Sequence, residues 1–145
     1  MSASRLSLFA TLAAVLALAR MFFIGALFGV GPISIGLQIV AFLFMVWARL
    51  TFGMRSFHAA ADTTVGELVT RGPYAIVRNP IYAAVILFAW TGAAVHFSLE
   101  SALLALVVFA GMFTRILIEE RFLRRRYSDY EAYTKRVKRL VPFVF

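Results

Sequence analysis

Four long apolar stretches occupy most of the 145-residue chain, and they restrict what it can fold into. They cover residues 6–28, 35–51, 81–95 and 99–118. Because an α-helix of about 20 apolar residues crosses the hydrocarbon core of a bilayer, we expect each stretch to form a membrane span. The third stretch is the shortest, so we expect its last turn to include residues 96–98, in a tight helical hairpin with the fourth. The sequence therefore predicts an all-α integral membrane protein of one domain, with about four spans.

The composition argues against several classes of protein. Hydrophobic residues make up 62% of the chain, which is above the usual range of soluble domains. The formal net charge of +8 is compatible with nucleic-acid binding, but the arginines flank apolar stretches. We therefore expect membrane lipids, and no nucleic acid, as partners. Because the chain has no cysteine and its two histidines, His58 and His96, are far apart, the sequence predicts no metal site.

The first stretch permits a second interpretation. Arg5, the apolar residues 6–16 and the small residues Ala17 and Ala19 resemble a cleavable signal peptide. The apolar stretch resumes directly after Arg20, however, and this favours a membrane span. Because a charge inside a span must reach the interface or find a partner, we expect Arg20 to have a packing or interfacial role.

Basic residues are distributed unevenly around the predicted spans. They precede the first span, surround the segment between the second and third, and follow the fourth, at Arg5, Arg49, Arg55, Arg71, Arg78, Arg121, Arg124, Arg125, Arg126, Lys135, Arg136, Lys138 and Arg139. The other two linkers, residues 29–34 and 96–100, contain no lysine or arginine. Since cytoplasmic loops are enriched in these residues, we expect both termini and the segment between spans two and three to face the cytoplasm. The first linker contains Gly31-Pro32, where a helix cannot continue without losing a backbone hydrogen bond.

A different pattern follows the fourth span. Apolar and aromatic residues recur there at spacings of three and four, at Leu123, Tyr127, Tyr130, Thr134, Val137 and Val141. This spacing predicts an amphipathic helix with its basic residues largely on other faces, lying along the cytoplasmic surface. Such a helix either anchors the protein to anionic lipid or covers a site, and the periodicity favours neither role.

Polar residues interrupt the apolar pattern at residues 71–82, which read RGPYAIVRNPIY and are called the polar loop below. Pro80 disfavours helix at Asn79 and suits a first helical turn, so the third span is predicted to begin at Pro80. The start of a helix presents unpaired N–H groups that can bind polar parts of a ligand. On the same predicted membrane face, Arg115 and Glu119 are four residues apart and can pair. Acidic groups at a membrane boundary are costly unless they are paired, solvated or bound to a cation.

Two segments carry a resemblance to a known family. They read LVTRGPYAIVRNPIYAAV and RILIEERFLRRRYSDYEAYTKRVKRLVPF, within residues 66–145. The elements that carry it are Gly72, Tyr74, Arg78, Asn79, Pro80, Ile81, Tyr82, Glu119, Glu120, Tyr130, Tyr133, Arg136, Val137 and Pro142. In this order they resemble the isoprenylcysteine carboxyl methyltransferases and their bacterial relatives. That family shares a broader superfamily with phospholipid N-methyltransferases.

The resemblance implies a small polytopic membrane enzyme that uses S-adenosylmethionine, without a Rossmann domain, and releases S-adenosylhomocysteine. It implies a cytoplasmic cofactor site in residues 71–84 and 115–142, with a lipid-like substrate that enters from the bilayer. The implied cofactor-binding residues of the polar loop are Tyr74, Arg78, Asn79, Pro80 and Tyr82. Glu119 and Glu120 are implied to hold the polar methionine end of the cofactor or its neighbours.

The sequence departs from the family pattern at two positions. Asn79 replaces the histidine that is commonest in the loop, and Ala84 stands where many members have glycine. Asparagine keeps a hydrogen-bond donor and an acceptor but does not titrate near neutral pH, which argues against a proton-transfer role at this position. Ala84 adds a methyl group where the backbone and the cofactor are implied to pass closely.

The chemistry of methyl transfer separates the possible acceptors. A carboxylate is already ionised and needs only a cation to orient it, for which Arg78 and Arg115 are the candidates and hence the predicted catalytic residues. An ammonium or a phenol must lose a proton, and the nearby candidates are Glu119, Glu120 and the tyrosines. We expect carboxyl O-methylation of an isoprenylcysteine-like lipid, with N-methylation of a phospholipid or methylation of an alkylated phenol as alternatives. A small lipid-binding membrane scaffold is the alternative that is not an enzyme.

Overall fold

The computed structural model describes residues 3–53 and 68–145, so Arg55 and His58 lie outside the described residues. The described residues form five α-helices, α1 (Ala3–Phe23), α2 (Pro32–Phe52), α3 (Pro80–Val95), α4 (Leu99–Arg126) and α5 (Tyr130–Arg136). A short 3₁₀ helix, Gly72–Ala75, precedes α3. Within these ranges, α1, α2 and α4 are long and apolar enough to cross a membrane, while α3 has 16 residues. The all-α prediction is confirmed for the residues that the structure describes, and α3 is shorter than an ordinary span.

The helices pack with small residues inside and large residues outside. Helix α1 packs on α4, α2 on α3, and α3 on α4. A Cβ atom added at Gly111 of α4 would lie 2.7 Å from the carbonyl oxygen of Ala10 in α1, so these helices touch through their backbones. The large apolar side chains instead point outward, as at Phe9, Leu16, Phe23, Ile33 and Leu50. Close packing through small residues with an apolar exterior is typical of helices in lipid.

Helix α1 ends earlier than the apolar pattern predicts. Gly25 adopts a positive φ of 72°, and the amides of Gly25 and Ala26 donate to the carbonyl oxygens of Phe22 and Met21. This pair of hydrogen bonds is a Schellman motif, which uses the conformational freedom of glycine to close a helix. The predicted span of residues 6–28 is therefore wrong at its end, because apolar character continues into the loop that follows the helix.

The loop between α1 and α2 is held by a side chain of α2. Helix α2 begins at Pro32, after Gly31 with a φ of 90°, so the predicted break at Gly31-Pro32 is confirmed. Gln38 of α2 accepts from the amide of Gly29 at 2.8 Å and donates to the carbonyl oxygen of Leu27 at 2.8 Å. Its amide nitrogen also donates to the carbonyl oxygen of Phe88 in α3 at 3.0 Å. The buried amide thus satisfies two backbone groups of the loop and links the loop to α3.

The same loop crosses α3 at Gly92, in close backbone contact. A Cβ atom at Gly92 would overlap the carbonyl oxygens of Ala26 and Leu27, which are backbone atoms and cannot rotate away. We expect Gly92→Ala to lower the stability of the protein in detergent by about 1–3 kcal/mol. Thermal unfolding of the purified variants measures this loss.

Gly36 of α2 is the matched control for Gly92. It is also a helical glycine, but a Cβ atom there would meet nothing within 4 Å. Gly36→Ala should therefore leave stability unchanged or raise it by about 0.5–1 kcal/mol, because alanine favours helix over glycine. Equal stability of the two variants would show that the loop does not press on α3.

Helices α3 and α4 form the predicted hairpin, but the linker is not helical. Helix α3 ends at Val95, and His96 Nε2 lies 2.9 Å from the carbonyl oxygen of Phe28. Ser98 and Ser101 cap each other's backbone amides at the start of α4, in a capping box. The expectation that residues 96–98 extend the third span is thus wrong, because the serine caps begin a new helix.

The C-terminal region differs most from its prediction. Helix α4 does not end near residue 118 but continues to Arg126, and at about 1.5 Å per residue it exceeds the hydrocarbon thickness. Tyr127 then has an extended backbone, and α5 has only seven residues. The predicted amphipathic helix is therefore divided in two. Its aromatic side is not directed to lipid, because Tyr130 and Tyr133 are buried within the protein.

Arg20 of α1 lies at the far end of α4 from this region. It is in the last turn of α1, and its guanidinium is 2.6 Å from Glu100 in the first turn of α4. Both side chains are about half exposed. This ion pair is consistent with the packing or interfacial role that we expect for Arg20.

Candidate active site

The polar loop is held in place by the segment that follows α5. Val77 and Lys138 form an isolated parallel β-bridge, and the amide of Arg78 donates to the carbonyl oxygen of Lys138 at 2.7 Å. The amide of Asn79 donates to the carbonyl oxygen of Arg139 at 3.2 Å. Pro80 then begins α3, as its sequence position predicts. Backbone pairing therefore brings together two segments that are far apart in the sequence.

Glu120 is the centre of the first polar cluster, which we call the Glu120 cluster: Glu120, Arg78, Asn79 and Arg139. Its carboxylate accepts from Arg78 Nε at 3.2 Å, from Asn79 Nδ2 at 3.1 Å and from Arg139 Nη2 at 2.9 Å. The Glu120 side chain is only 4% exposed. A buried carboxylate with two arginines and an amide is fully compensated, so this cluster holds α4, the polar loop and the C-terminal segment together.

Besides the Glu120 carboxylate, Arg78 binds backbone carbonyl oxygens and Arg139 contacts aromatic rings. Arg78 Nη1 donates to the carbonyl oxygens of Thr134 and Val137, at 3.0 and 2.7 Å, in the last turn of α5 and just after it. The Arg139 guanidinium lies over the rings of Phe113 and Phe145, at 5.8 and 5.3 Å from their centres. Cations favour both the carbonyl end of a helix and the faces of aromatic rings. Each arginine is thereby fixed in one orientation.

The second polar cluster surrounds Glu119 and is called the Glu119 cluster: Glu119, Tyr82, Arg115 and Thr11. Arg115 Nη2 lies 3.0 Å from Glu119 Oε1, so the pairing predicted from their spacing is confirmed. The Tyr82 hydroxyl donates to the same oxygen and accepts from Arg115 Nε at 3.1 Å. Arg115 Nη1 donates to Thr11 Oγ1 at 2.7 Å. Tyr82 of α3 and Arg115 of α4 therefore meet at one carboxylate, and Thr11 of α1 is linked to it through Arg115.

The two adjacent glutamates differ in access. The Glu119 side chain is 28% exposed, compared with 4% for Glu120. Glu119 Oε1 carries the contacts described above, while its Oε2 accepts no hydrogen bond from residues in the described ranges. Glu119 is thus the more accessible of the two carboxylates and can meet a cation or a proton, whereas Glu120 is enclosed.

Three tyrosines beside these clusters remain protonated at neutral pH. Burial raises the pKa of Tyr74, Tyr130 and Tyr133 above the usual value for a phenol. Neighbouring charge adds to this effect, since Glu119 also raises the pKa of Tyr74 and Glu120 that of Tyr130. The Tyr133 hydroxyl donates to the carbonyl oxygen of Tyr74. Because these phenols keep their protons at neutral pH, they are poor candidates for a base, and Tyr133 acts as a hydrogen-bond donor.

A family model for phospholipid methyltransferases matches residues 26–130, which is more than half of the chain. The chain belongs to the phospholipid methyltransferase family. This is the broader superfamily to which the sequence resemblance points. No curated protein and no solved structure gives a significant match. The protein is therefore a member of a family of membrane methyltransferases, which typically use S-adenosylmethionine.

Within this family member, the structure brings together most of the residues selected from the sequence. Arg78 and Asn79 meet Glu120, whereas Tyr82 and Arg115 meet Glu119. Tyr74 belongs to neither cluster but lies beside them in the 3₁₀ helix, where its ring packs against Phe52 of α2 at 5.7 Å between the ring centres.

Two residues of the clusters were not selected from the sequence. Arg139 pairs with Glu120, but in the sequence it is one of many basic residues after α4. Thr11 bonds Arg115 from the middle of an apolar helix. A polar residue inside an apolar stretch is the signal that could have drawn attention to Thr11, since such residues are costly in lipid.

Proposed function

We propose that the protein is an S-adenosylmethionine-dependent methyltransferase of a lipid acceptor, and that Glu119 is its central functional residue. The single observation that carries the proposal is the Glu119 cluster. It is a partly exposed carboxylate with one oxygen fixed by a tyrosine and an arginine, and the tyrosine is the last residue of the polar loop. A preorganised carboxylate in such a position can attract cations and accept a proton.

The residues present fit the cofactor that the family typically uses. S-adenosylmethionine carries an ammonium and a sulfonium, and Glu119 Oε2 offers an anionic oxygen without a hydrogen-bond donor among the described residues. We propose that Glu119 and the residues Tyr74, Asn79, Pro80 and Tyr82 line the cofactor site, within segments 71–84 and 115–142. Glu120 acts indirectly, because it holds Arg78 and Asn79 in place. We propose that this site faces the cytoplasm, from the distribution of basic residues.

When bound, the cofactor supplies an electrophilic methyl group on a sulfonium, which a neutral amine can attack. The side chains then have two tasks: to hold the acceptor and to take its proton. Glu119 attracts the acceptor ammonium by charge and accepts its proton, while Tyr82 and Arg115 fix the orientation of the carboxylate.

The pairing of the arginines supports an amine as acceptor, such as the headgroup of an aminophospholipid. A substrate carboxylate needs a cation to orient it, and the sequence offers Arg78 and Arg115 for this role. In the structure Arg78 is 9% exposed and holds Glu120, and Arg115 holds Glu119. Both arginines already neutralise carboxylates of the chain itself. An acceptor that must lose a proton matches the accessible Glu119 better than an anionic acceptor does.

Carboxyl O-methylation of an isoprenylcysteine-like lipid is the second candidate. It is supported by the sequence resemblance at the polar loop and at the Glu119-Glu120 pair. For this reaction an arginine has to exchange its glutamate partner for the substrate. Arg115 is the better candidate of the two, because Arg78 is also bound to two carbonyl oxygens at the end of α5.

The dependence of turnover on pH separates these candidates. With an amine acceptor the rate should rise about tenfold per pH unit from pH 6 to pH 8, since only the neutral amine has a free electron pair and a primary amine has a pKa of about 10. With a carboxylate acceptor the rate should stay flat above about pH 6, because the acceptor is already ionised. Transfer of a labelled methyl group from S-adenosylmethionine to phosphatidylethanolamine vesicles, at saturating cofactor, measures the profile. No transfer to this lipid, together with a flat profile on an isoprenylcysteine analogue, would overturn the amine assignment.

A further inference from the structure

Helix α1 contributes a side chain to the Glu119 cluster although it lies wholly outside the family match, which begins at residue 26. Thr11 Oγ1 accepts from Arg115 Nη1 at 2.7 Å, across the α1–α4 contact. The same hydroxyl donates to the carbonyl oxygen of Ser7 at 2.8 Å. Because its proton is directed to its own helix, its lone pairs remain for the guanidinium. The Thr11 hydroxyl is therefore oriented as an acceptor toward Arg115.

The two hydroxyl residues within the apolar part of α1 lie on this face. Ser7 lies one turn before Thr11 and is fully buried, and its hydroxyl oxygen has no hydrogen-bond partner among the described residues. The opposite side of α1 presents large apolar residues such as Phe9 and Leu16. A buried hydroxyl in an apolar helix costs stability unless it is paired. Apolar side chains would thus serve packing better here, which indicates that the polar face of α1 has another purpose.

Arg115 joins three helices through separate nitrogen atoms. Its Nη1 binds Thr11 of α1, its Nε binds Tyr82 of α3, and its Nη2 binds Glu119 on its own helix. A guanidinium is planar and rigid, so one fixed nitrogen determines the direction of the others. A hydroxyl at Thr11 therefore restricts the orientation in which Arg115 meets Glu119 and Tyr82.

We propose that Thr11 is a positioning residue of the active site, which holds Arg115 so that the Glu119 carboxylate and the Tyr82 hydroxyl keep their productive orientation. This role rests on the proposed function. It gives α1 a part in the chemistry in addition to anchoring the protein in the membrane. Thr11 touches neither cofactor nor acceptor in this account, so its loss should affect turnover and leave cofactor affinity largely unchanged.

The test compares three variants of the full-length protein in the methyl-transfer assay. Thr11→Val keeps the shape of the side chain and removes the hydroxyl, and turnover at saturating substrates should fall about 10-fold to 100-fold. Thr11→Ser keeps the hydroxyl and should restore most of the turnover. Thr91→Val in α3 is the matched control, because the Thr91 hydroxyl, like that of Thr11, donates to the carbonyl oxygen four residues earlier, at 2.7 Å. Thr91 lies outside both clusters, so the turnover of the Thr91→Val variant should equal that of the wild type.

The possible outcomes distinguish failure of the role proposed for Thr11 from failure of the proposed methyltransferase function. Wild-type turnover in Thr11→Val would overturn the role of Thr11, and so would equal losses in the valine and serine variants. A lower melting temperature with unchanged turnover per folded molecule would assign Thr11 to packing alone and would also overturn it. If Thr11→Val does not fold, Thr11→Ala removes the hydroxyl with a smaller side chain, and the same comparison with Thr11→Ser applies. A wild type without methyl transfer or cofactor binding would instead overturn the proposed function, and the role of Thr11 with it.

Discussion

Turnover near pH 7 should fall about 10²-fold to 10⁴-fold when Glu119 is replaced with glutamine, which is the range for loss of a general base. Glutamine has nearly the same shape but no charge, so it can neither accept a proton nor attract a cation. The affinity for the cofactor should fall by about one to two decades as well, the scale of a charge-assisted hydrogen bond. Methyl transfer and cofactor titration on the same preparation measure both quantities.

Glu100 provides the matched control for Glu119. It lies on the same helix and also pairs with an arginine, Arg20, but at the opposite end and about half exposed. Glu100→Gln should therefore leave turnover unchanged and cost no more than about 1 kcal/mol of stability. If Glu119→Gln turns over normally once the cofactor is saturating, Glu119 binds the cofactor and is not the base.

Replacement of Glu120 with glutamine should mainly destabilise the fold. Glu120 is buried and neutralises Arg78 and Arg139, so its loss leaves two guanidinium groups without a counter-charge. Breaking a buried ion pair from one side costs about 3–5 kcal/mol. For a chain of this size the melting temperature should fall by on the order of 10 °C. Thermal unfolding in detergent, followed by the near-ultraviolet signal of the aromatic residues, measures the change.

Glu131 is the corresponding control for Glu120. It pairs with Arg124 at 3.5 Å, and both side chains are about half exposed. Glu131→Gln should change stability by no more than about 1 kcal/mol, as for other surface ion pairs. A Glu120→Gln variant as stable as Glu131→Gln, but with weakened cofactor binding, would show that Glu120 serves the ligand and not the fold.

The sequence predicts those features that depend on local patterns. Apolar length locates α2, α3 and the start of α4, and Pro80 marks the start of α3. The spacing of Arg115 and Glu119 predicts their ion pair, because residues four apart share a helix face. Arg78 and Glu120 were both selected through the family resemblance, but the sequence did not predict that they pair with each other.

Other features depend on tertiary contacts and lack a local signal. Arg139 is one of several basic residues after α4, and only the β-bridge of Val77 with Lys138 brings it to Glu120. The division of the C-terminal region also follows from tertiary structure, since burial of Tyr130 and Tyr133 replaces the lipid contact that the periodicity suggested. The extension of α4 to Arg126 reflects the good helix propensity of glutamate, arginine and leucine, which a search for apolar stretches overlooks.

Calorimetric titration of the detergent-solubilised wild type with S-adenosylhomocysteine tests whether the protein binds the cofactor of a methyltransferase. The titration should be carried out at two temperatures, so that a binding enthalpy near zero at one of them is not mistaken for absence of binding. We expect saturable binding that Glu119→Gln weakens and Glu100→Gln leaves unchanged. Absence of binding at both temperatures, by a protein that is folded in the same detergent, would contradict the methyltransferase assignment and would favour a lipid-binding membrane scaffold.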